Sequence, residues 1–355
     1  MQRSRTLLTG LRLAAQRMVR SAAGTTVAEV VRHSLAMQAQ DFAGAKWSVG
    51  LRAPGVTDAD VEVALANREI VRSWPMRGTL HLTPGDDLGW MLRLTAPRLI
   101  RGAAKRRSDL GLTNADVERA RELAVAALHG GRVLGRDALQ QLWSDAGIST
   151  TGQRGYHLLW SLSATGTLVF GPVDGKQHSF TLLDEWVTTP RDLHADEALG
   201  EFAARYFASH GPATVRDFAW WASLTLTEAR AGIAIARPDE LEVDGTVYYL
   251  AEGLEPAAST RLLLPGFDEY LLGYQDRSAP LAAEHATVIV PGSNGVFQPT
   301  MIDRGEVVGT WRRTQRATRV DIALLPFASR DPAKWVTPIR RYGDFLGIPA
   351  TVVEG

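Results

Sequence analysis

Three times along this chain, a run of helical periodicity gives way to two short strands meeting at a turn. That recurrence restricts the fold more than any single residue does, because a 3.6-residue period and a two-residue period cannot describe the same element. Residues 6–20, rich in Leu and Ala, read as a first helix. Thr25 and Thr26 can cap a second running to about Met37, with Val27, Val30, Val31, Leu35 and Ala36 on its buried face. Asp41 caps a third through Lys46-Trp47-Ser48-Val49, with Gly50 and Pro54 near its end. A helix over 57–67 then leads to Ile70–Trp74 and Met76–Leu82, a strand pair whose turn is expected at or near Pro75.

The plan recurs with clearer punctuation. Thr113-Asn114-Ala115-Asp116 opens a helix to Leu128, residues 136–146 form another, and a third begins near Gly152. Two strands follow, 168–171 and 179–182, around an Asp174-Gly175 turn signal. The third copy has helices over 196–209, from Pro212 and from Thr225 to Ile235, then a hairpin over Glu240–Ala251. The last hundred residues change character. Residues 261–265 and 287–291 read as buried strands, 300–311 as a hairpin turning at Asp303-Arg304-Gly305, and 331–346 as a closing helix. The expected fold is mainly α with β wings, an α+β chain of three tandem winged-helix motifs and a C-terminal α/β segment. The boundaries fall at 1–110, 111–190, 191–257 and 258–355.

Composition excludes more than it selects. With 39 basic and 39 acidic residues the chain is formally neutral, so contact with nucleic acid must come from local patches. The most basic run is 93–107, with Arg93, Arg98, Arg101, Lys105, Arg106 and Arg107 and no acid among them. There are no cysteines, and the eight histidines lack close ligand spacing, so no metal and no cofactor is expected. No uninterrupted apolar segment reads as a signal or membrane span, and a cytoplasmic, nucleoid-associated protein is expected.

Gln38-Ala39-Gln40 is the most unusual polar stretch. Residues two apart on a helix point to different sides, so these glutamines can share a target only if the helix ends near Ala39 and the chain turns extended. Asp41, as cap of the next helix, argues for such a break. From spacing alone, Gln38 reads equally as a solvated side chain and Gln40 as a group satisfying the turn.

Four stretches taken together go further. Gln38-Ala39-Gln40, Arg72–Leu82, Phe267–Arg277 and Asp303–Trp311 resemble, in content and order over nearly the whole chain, the AlkZ-type DNA glycosylases of the winged-helix HTH_42 family. The resemblance implies tandem winged helices in a C-shaped arrangement enclosing DNA, with Gln38 and Gln40 as the catalytic pair in the cleft. It also implies excision of alkylated purines, bulky natural-product adducts and interstrand crosslinks among them. A second branch carries Asp in place of the second Gln. Here position 40 is Gln, with Asp41 one place later, as in the branch associated with resistance to DNA-alkylating toxins.

By the same resemblance, Arg77, Thr79 and His81 line the cleft, and Arg304, Arg312 and Arg313 contact phosphates from the later hairpin. Met76 and Trp47 are candidates for substrate contact. The chemistry agrees with carboxamides. Alkylation at guanine N7 or adenine N3 leaves a cationic base that departs without a strong acid, so what remains is to place a water and stabilise an oxocarbenium-like state. No Lys closer than Lys46 is at hand for Schiff-base chemistry, so a monofunctional hydrolysis is expected. The expected partner is duplex DNA containing alkylated purines, bound by a monomer with no obligate protein partner. The competing reading is a non-catalytic winged-helix transcription regulator.

Overall fold

The computed structural model describes residues 2–19, 24–174, 177–258, 260–293 and 295–353. Packing divides the chain into two compact units, Met1–Val61 with Leu199–Gly355 and, inserted between them, Glu62–Ala198.

In the first unit, helices Gln2–Ala15, Val27–Ser34 and Phe42–Arg52 precede the inserted unit. The first ends earlier than its composition suggests. Arg17 takes a positive φ of 55°, and Met18 N–H reaches back to Leu13 O at 3.0 Å, closing a Schellman-type turn. After the insertion come helices Ala195–His210, Val215–Ala222 and Leu226–Ala236 and the hairpin Asp239–Val243/Thr246–Leu250. Thr214 and Thr225 each complete a capping box, with Asp217 and Glu228 three residues on. A five-stranded sheet follows, in the order 350–353, 320–326, 306–315, 300–303, 261–264. It is antiparallel throughout except where its last strand in sequence, Ala350–Val353, lies parallel to Val320–Pro326.

Two indole nitrogens bond the edge strand of this sheet, Trp47 from the neighbouring helix and Trp311 from within the sheet. Trp47 Nε1 donates to Leu263 O and Trp311 Nε1 to Leu264 O, both at 2.7 Å. Tyr342, on the closing helix Val336–Leu346, meets the edges of both rings, with centroids 4.9 and 5.3 Å away. That helix packs against Gly50 so closely that a Cβ there would lie 2.5 Å from Phe345 Cδ2. A side chain at position 50 would separate the two helices.

The second unit holds the strand pair Ile70–Met76/Thr79–Pro84, helices from Leu88 to Ala164, and a sheet of strands 134–135, 177–182 and 168–174. Its core gathers Trp74, Leu128, Trp143, Leu158, Leu162 and Phe180. The Asn114–Leu128 helix begins at Thr113 with a capping box to Asp116, as its sequence predicts. The Asp174-Gly175 turn signal runs into residues outside the described ones.

One expectation is sharpened and one fails. The first hairpin does not turn at Pro75. That residue lies inside the strand Ile70–Met76, at an irregularity in register between Ser73 and Met76. The turn is made by Arg77 and Gly78, with φ of 55° and 67°, as a two-residue hairpin turn of this hand requires. Residues 287–291 are not a buried strand either: Ala286–Ile289 is a short helix with Val288 46% exposed, so one apolar flank faces solvent. β-branched composition lost there to local context.

Arg52 and Asp268 form a deeply buried ion pair in the first unit, with side chains 1% and 2% exposed. The guanidinium grips the carboxylate with both arms, at 2.9 and 3.0 Å. Removing either charge strands the other in the core. We expect Arg52→Leu to lower the stability of the first unit by about 3–5 kcal/mol in urea unfolding, and Arg52→Met/Asp268→Leu to recover part of that loss.

Candidate active site

The Val27–Ser34 helix that leads to the glutamines is fixed at its start by a capping box. Thr26 accepts from Glu29 N, and Glu29 reaches back to Thr26 N at 2.8 Å. Hydrogen bonds from Thr26 pull the Glu29 carboxyl below its ordinary range. The helix stops at Ser34, before the expected Met37. Leu35 adopts φ 61°, ψ −47°, and Ala36 N–H closes on Ser34 O at 2.7 Å. This is a γ-turn of the strained hand, and buried Leu35 holds it in the core. Met37–Gln38 is then extended, which supplies the break the glutamine pair requires.

Gln38 is 8% exposed, and its Oε1 finds no hydrogen-bond donor among the described residues. Gln40 is exposed on the bend before the next helix. Asp41 caps that helix, Phe42–Arg52, by accepting from Gly44 N at 3.0 Å.

Glu269 lies beneath Gln38. Its side chain is 3% exposed, and Oε1 accepts the Gln38 backbone N–H at 3.0 Å. Oε2 accepts Trp221 Nε1–H at 2.8 Å and faces His210 Nε2 at 3.4 Å. His210 in turn meets Ser209 Oγ through Nδ1 at 2.8 Å and stacks on Tyr206, 4.8 Å between centroids. Gln16 ties the Glu269 backbone to the guanidinium that holds Asp268. Its Nε2 donates to Glu269 O and to Tyr274 Oη, while its Oε1 accepts from Arg52, which grips Asp268. Burial pushes the Tyr274 hydroxyl up to about 12, so it stays protonated and donates to His210 O at 2.7 Å.

Arg313 supports the same loop from the sheet. Its guanidinium reaches Asp41 Oδ2 at 3.3 Å and Tyr342 Oη at 3.1 Å, joining strand Glu306–Gln315 to the residue directly after Gln40. Lys46, the nearest amine in sequence, is buried against Asp58 at 2.6 Å.

A family model for the DNA glycosylase AlkZ-like proteins matches residues 31–345. The chain belongs to the AlkZ-like DNA glycosylase family. An interstrand DNA cross-link repair glycosylase of Streptomyces sahachiroi is 30% identical over 337 residues, covering 88% of each chain. The solved structure of the Streptomyces sahachiroi DNA glycosylase AlkZ superposes with a TM-score of 0.82 at 24% identity, over 98% of this chain and 99% of that one. The mixed α/β fold is therefore an AlkZ fold, and this AlkZ-like chain is an enzyme of the DNA glycosylase class.

The remaining predicted residues divide between the units. In the first, Arg304 is exposed at a hairpin turn, with φ of 53° beside Gly305 at 82°. That turn is pinned from inside: Tyr270 Oη donates to Gly305 O at 2.7 Å, and a Cβ on Gly305 would lie 2.6 Å from Thr9 Cβ. Arg312 is exposed on the strand and Arg313 half-buried, consistent with alternation along an extended chain. Trp47 is 1% exposed and packs in the core as described above.

In the second unit, Met76 is fully buried. Trp47 and Met76 therefore present no surface for substrate and are withdrawn as contacts. Arg77 Nη2 donates to His81 Nε2 at 3.0 Å, while His81 Nδ1–H donates to Thr79 O at 2.9 Å. Those partners fix one neutral tautomer, since a guanidinium cannot accept. Thr79 Oγ1 is a buried hydroxyl with no partner among the described residues. Among the described residues, no group of three or more His, Cys, Asp or Glu is placed to hold a metal ion.

Two measurements test this geometry. Glu269→Gln keeps the size and an acceptor for Gln38 N–H but removes the charge that strengthens it. We expect base release in single turnover to fall about tenfold with DNA affinity unchanged. The second concerns His33, on the helix before the glutamines, whose Nε2–H donates to Ala15 O at 2.7 Å. Burial pushes its pKa down to about 4. The unfolded chain takes that proton near pH 6.5, so stability should be complete above about 6.5 and fall as the pH drops toward 4, by about 3 kcal/mol. His33→Gln should flatten this part of the stability–pH curve.

Proposed function

We propose that this protein is a monofunctional glycosylase that hydrolyses the N-glycosidic bond of alkylated purines in duplex DNA. The purines are bulky N7-alkylguanine or N3-alkyladenine adducts, including interstrand crosslinks left by a genotoxic natural product. The observation that carries the reading is the Gln38 side chain, a buried carboxamide oxygen without a donor among the described residues, in a chain of this family. The cross-link repair activity in the name of the Streptomyces sahachiroi relative supports the substrate class.

Chemically, Gln38 and Gln40 orient a water toward C1′ and set their carbonyl dipoles against the positive charge that develops on the sugar. Neither can take up a proton at neutral pH, so the leaving group must already be activated, as a cationic purine is. Asp41 does not replace them as a base, because its carboxylate caps a helix and pairs with Arg313. Lys46 is occupied by Asp58, which supports hydrolysis over Schiff-base chemistry. Arg304, Arg312 and Arg77 are the proposed DNA contacts, made by a monomer, with His81 fully buried behind Arg77 and positioning its guanidinium. A crosslinked base stays tied to both strands and cannot be flipped, so the reading calls for attack on a base still held near the duplex.

The test is a substrate profile. Duplexes containing N7-methylguanine, a bulky N7-alkylguanine or uracil are incubated with the protein and assayed for released base and alkali-labile sites. Both cationic lesions should release base and leave intact strands that break only with alkali. Uracil should be at least 1000-fold slower, on the order of 4 kcal/mol in barrier. Efficient uracil release, or strand incision without alkali, would overturn the reading.

A further inference from the structure

Within the second unit, a cavity of about 360 Å³ opens beside the first strand pair, at the small end of ligand-sized clefts. Its wall is aromatic. Trp74 packs against Phe170 at 5.2 Å and meets Tyr156 edge-on at 6.2 Å, and Tyr156 is 42% exposed at the mouth. His178 meets Phe170 edge-on, 5.4 Å between centroids.

Two buried polar groups in this wall are donors. Arg72 is 6% exposed, with its guanidinium 5.0 Å from the Phe170 ring centre. It donates through Nη1 to His178 Nε2 at 2.8 Å, which places the hydrogen of the neutral imidazole on Nδ1. Burial lowers the Arg72 pKa to about 10, and the group remains a cation at neutral pH. Trp74 is 2% exposed, and its Nε1–H is buried with no acceptor among the described residues. A buried donor without an acceptor costs about 1–3 kcal/mol. At the rim, Asp137 is largely in solvent beside Arg136, 3.7 Å away, so it adds little negative charge to the interior.

We propose that this cavity binds a planar one- or two-ring aromatic group bearing a carboxylate or carbonyl oxygen. The ring lies against the wall that Tyr156, Trp74 and Phe170 form, and the oxygen accepts from Trp74 Nε1–H and Arg72. A flat group lies against an aromatic wall more closely than a puckered ring does, and an acceptor supplies what the indole lacks. The same chemistry could arrive as a free small molecule or as the aromatic part of an adduct carried on DNA. The site rests on the cavity alone and does not depend on the glycosylase reading.

The test is calorimetric titration of the full-length protein, without DNA, using indole-3-carboxylate, indole and cyclohexanecarboxylate. Indole-3-carboxylate should bind one to one. Indole should bind at least tenfold more weakly and cyclohexanecarboxylate not measurably. Trp74→Phe, which removes the N–H, should weaken the acid about tenfold. Tyr156→Ala, at the exposed mouth, should weaken it similarly with an unchanged circular dichroism spectrum, so the test survives a folding defect in the core variant. No binding of the acid at millimolar concentration, or equal binding by wild type and Tyr156→Ala, would overturn the site. If bound acid competes with a duplex carrying an aryl-carboxylate adduct but not with unmodified duplex, the source is DNA-borne. If it competes with neither, the source is a free molecule.

Discussion

Asp268 and Glu269 put two carboxylates side by side in the core of the first unit, and the candidate site depends on how they are held. Two such charges close together out of water are costly unless each has its own partners. Arg52 takes Asp268, with Ser48 Oγ and Tyr270 N–H on the same carboxylate. Glu269 has Trp221, His210 and the Gln38 backbone. Gln16 bridges the Glu269 backbone carbonyl and Arg52, so the main chain between the two carboxylates is held from the same side chain. The helix turn that carries Asp268 and Glu269 thus fixes the backbone that presents the glutamines.

That rigidity suits the chemistry. A carboxamide cannot substitute proton affinity for poor placement, so its contribution comes from where its oxygen and dipole lie when the glycosidic bond lengthens. The loop is held on three sides, by the γ-turn at Leu35, by Glu269 under Gln38, and by Arg313 on Asp41. A strained turn persists where its surroundings over-determine it, and Leu35 is fully buried.

Local rules were legible in the sequence and distant ones were not. Thr26, Asp41, Thr113, Thr214 and Thr225 all act as caps, because capping involves only residues two or three apart. The turn at Arg304-Gly305 was readable from its glycine, whereas the first hairpin was located only to the neighbourhood of Pro75, a stronger turn signal than Arg77-Gly78. Leu35 at positive φ was not readable, since a branched apolar residue is a poor guess for that conformation. Glu269 bonds Gln38 across 231 positions, and only packing reveals that distance closed. A signal was present nonetheless: Asp268-Glu269 stands between Phe267 and Tyr270-Leu271-Leu272, and acids in an apolar run mark buried, partnered charges. Trp47 and Met76 show the opposite failure, where a suggestive side chain near a motif proves to be core.

The proposed chemistry belongs to the two glutamines. The most direct measurement is single-turnover release of N7-alkylguanine from duplex DNA by wild type and by the Gln38→Ala/Gln40→Ala protein, at equal and saturating DNA binding. Wild type should release the base and the double variant should lose at least 100-fold in rate, about 2.7 kcal/mol of barrier. Equal rates from the two proteins would show that the chemistry resides elsewhere.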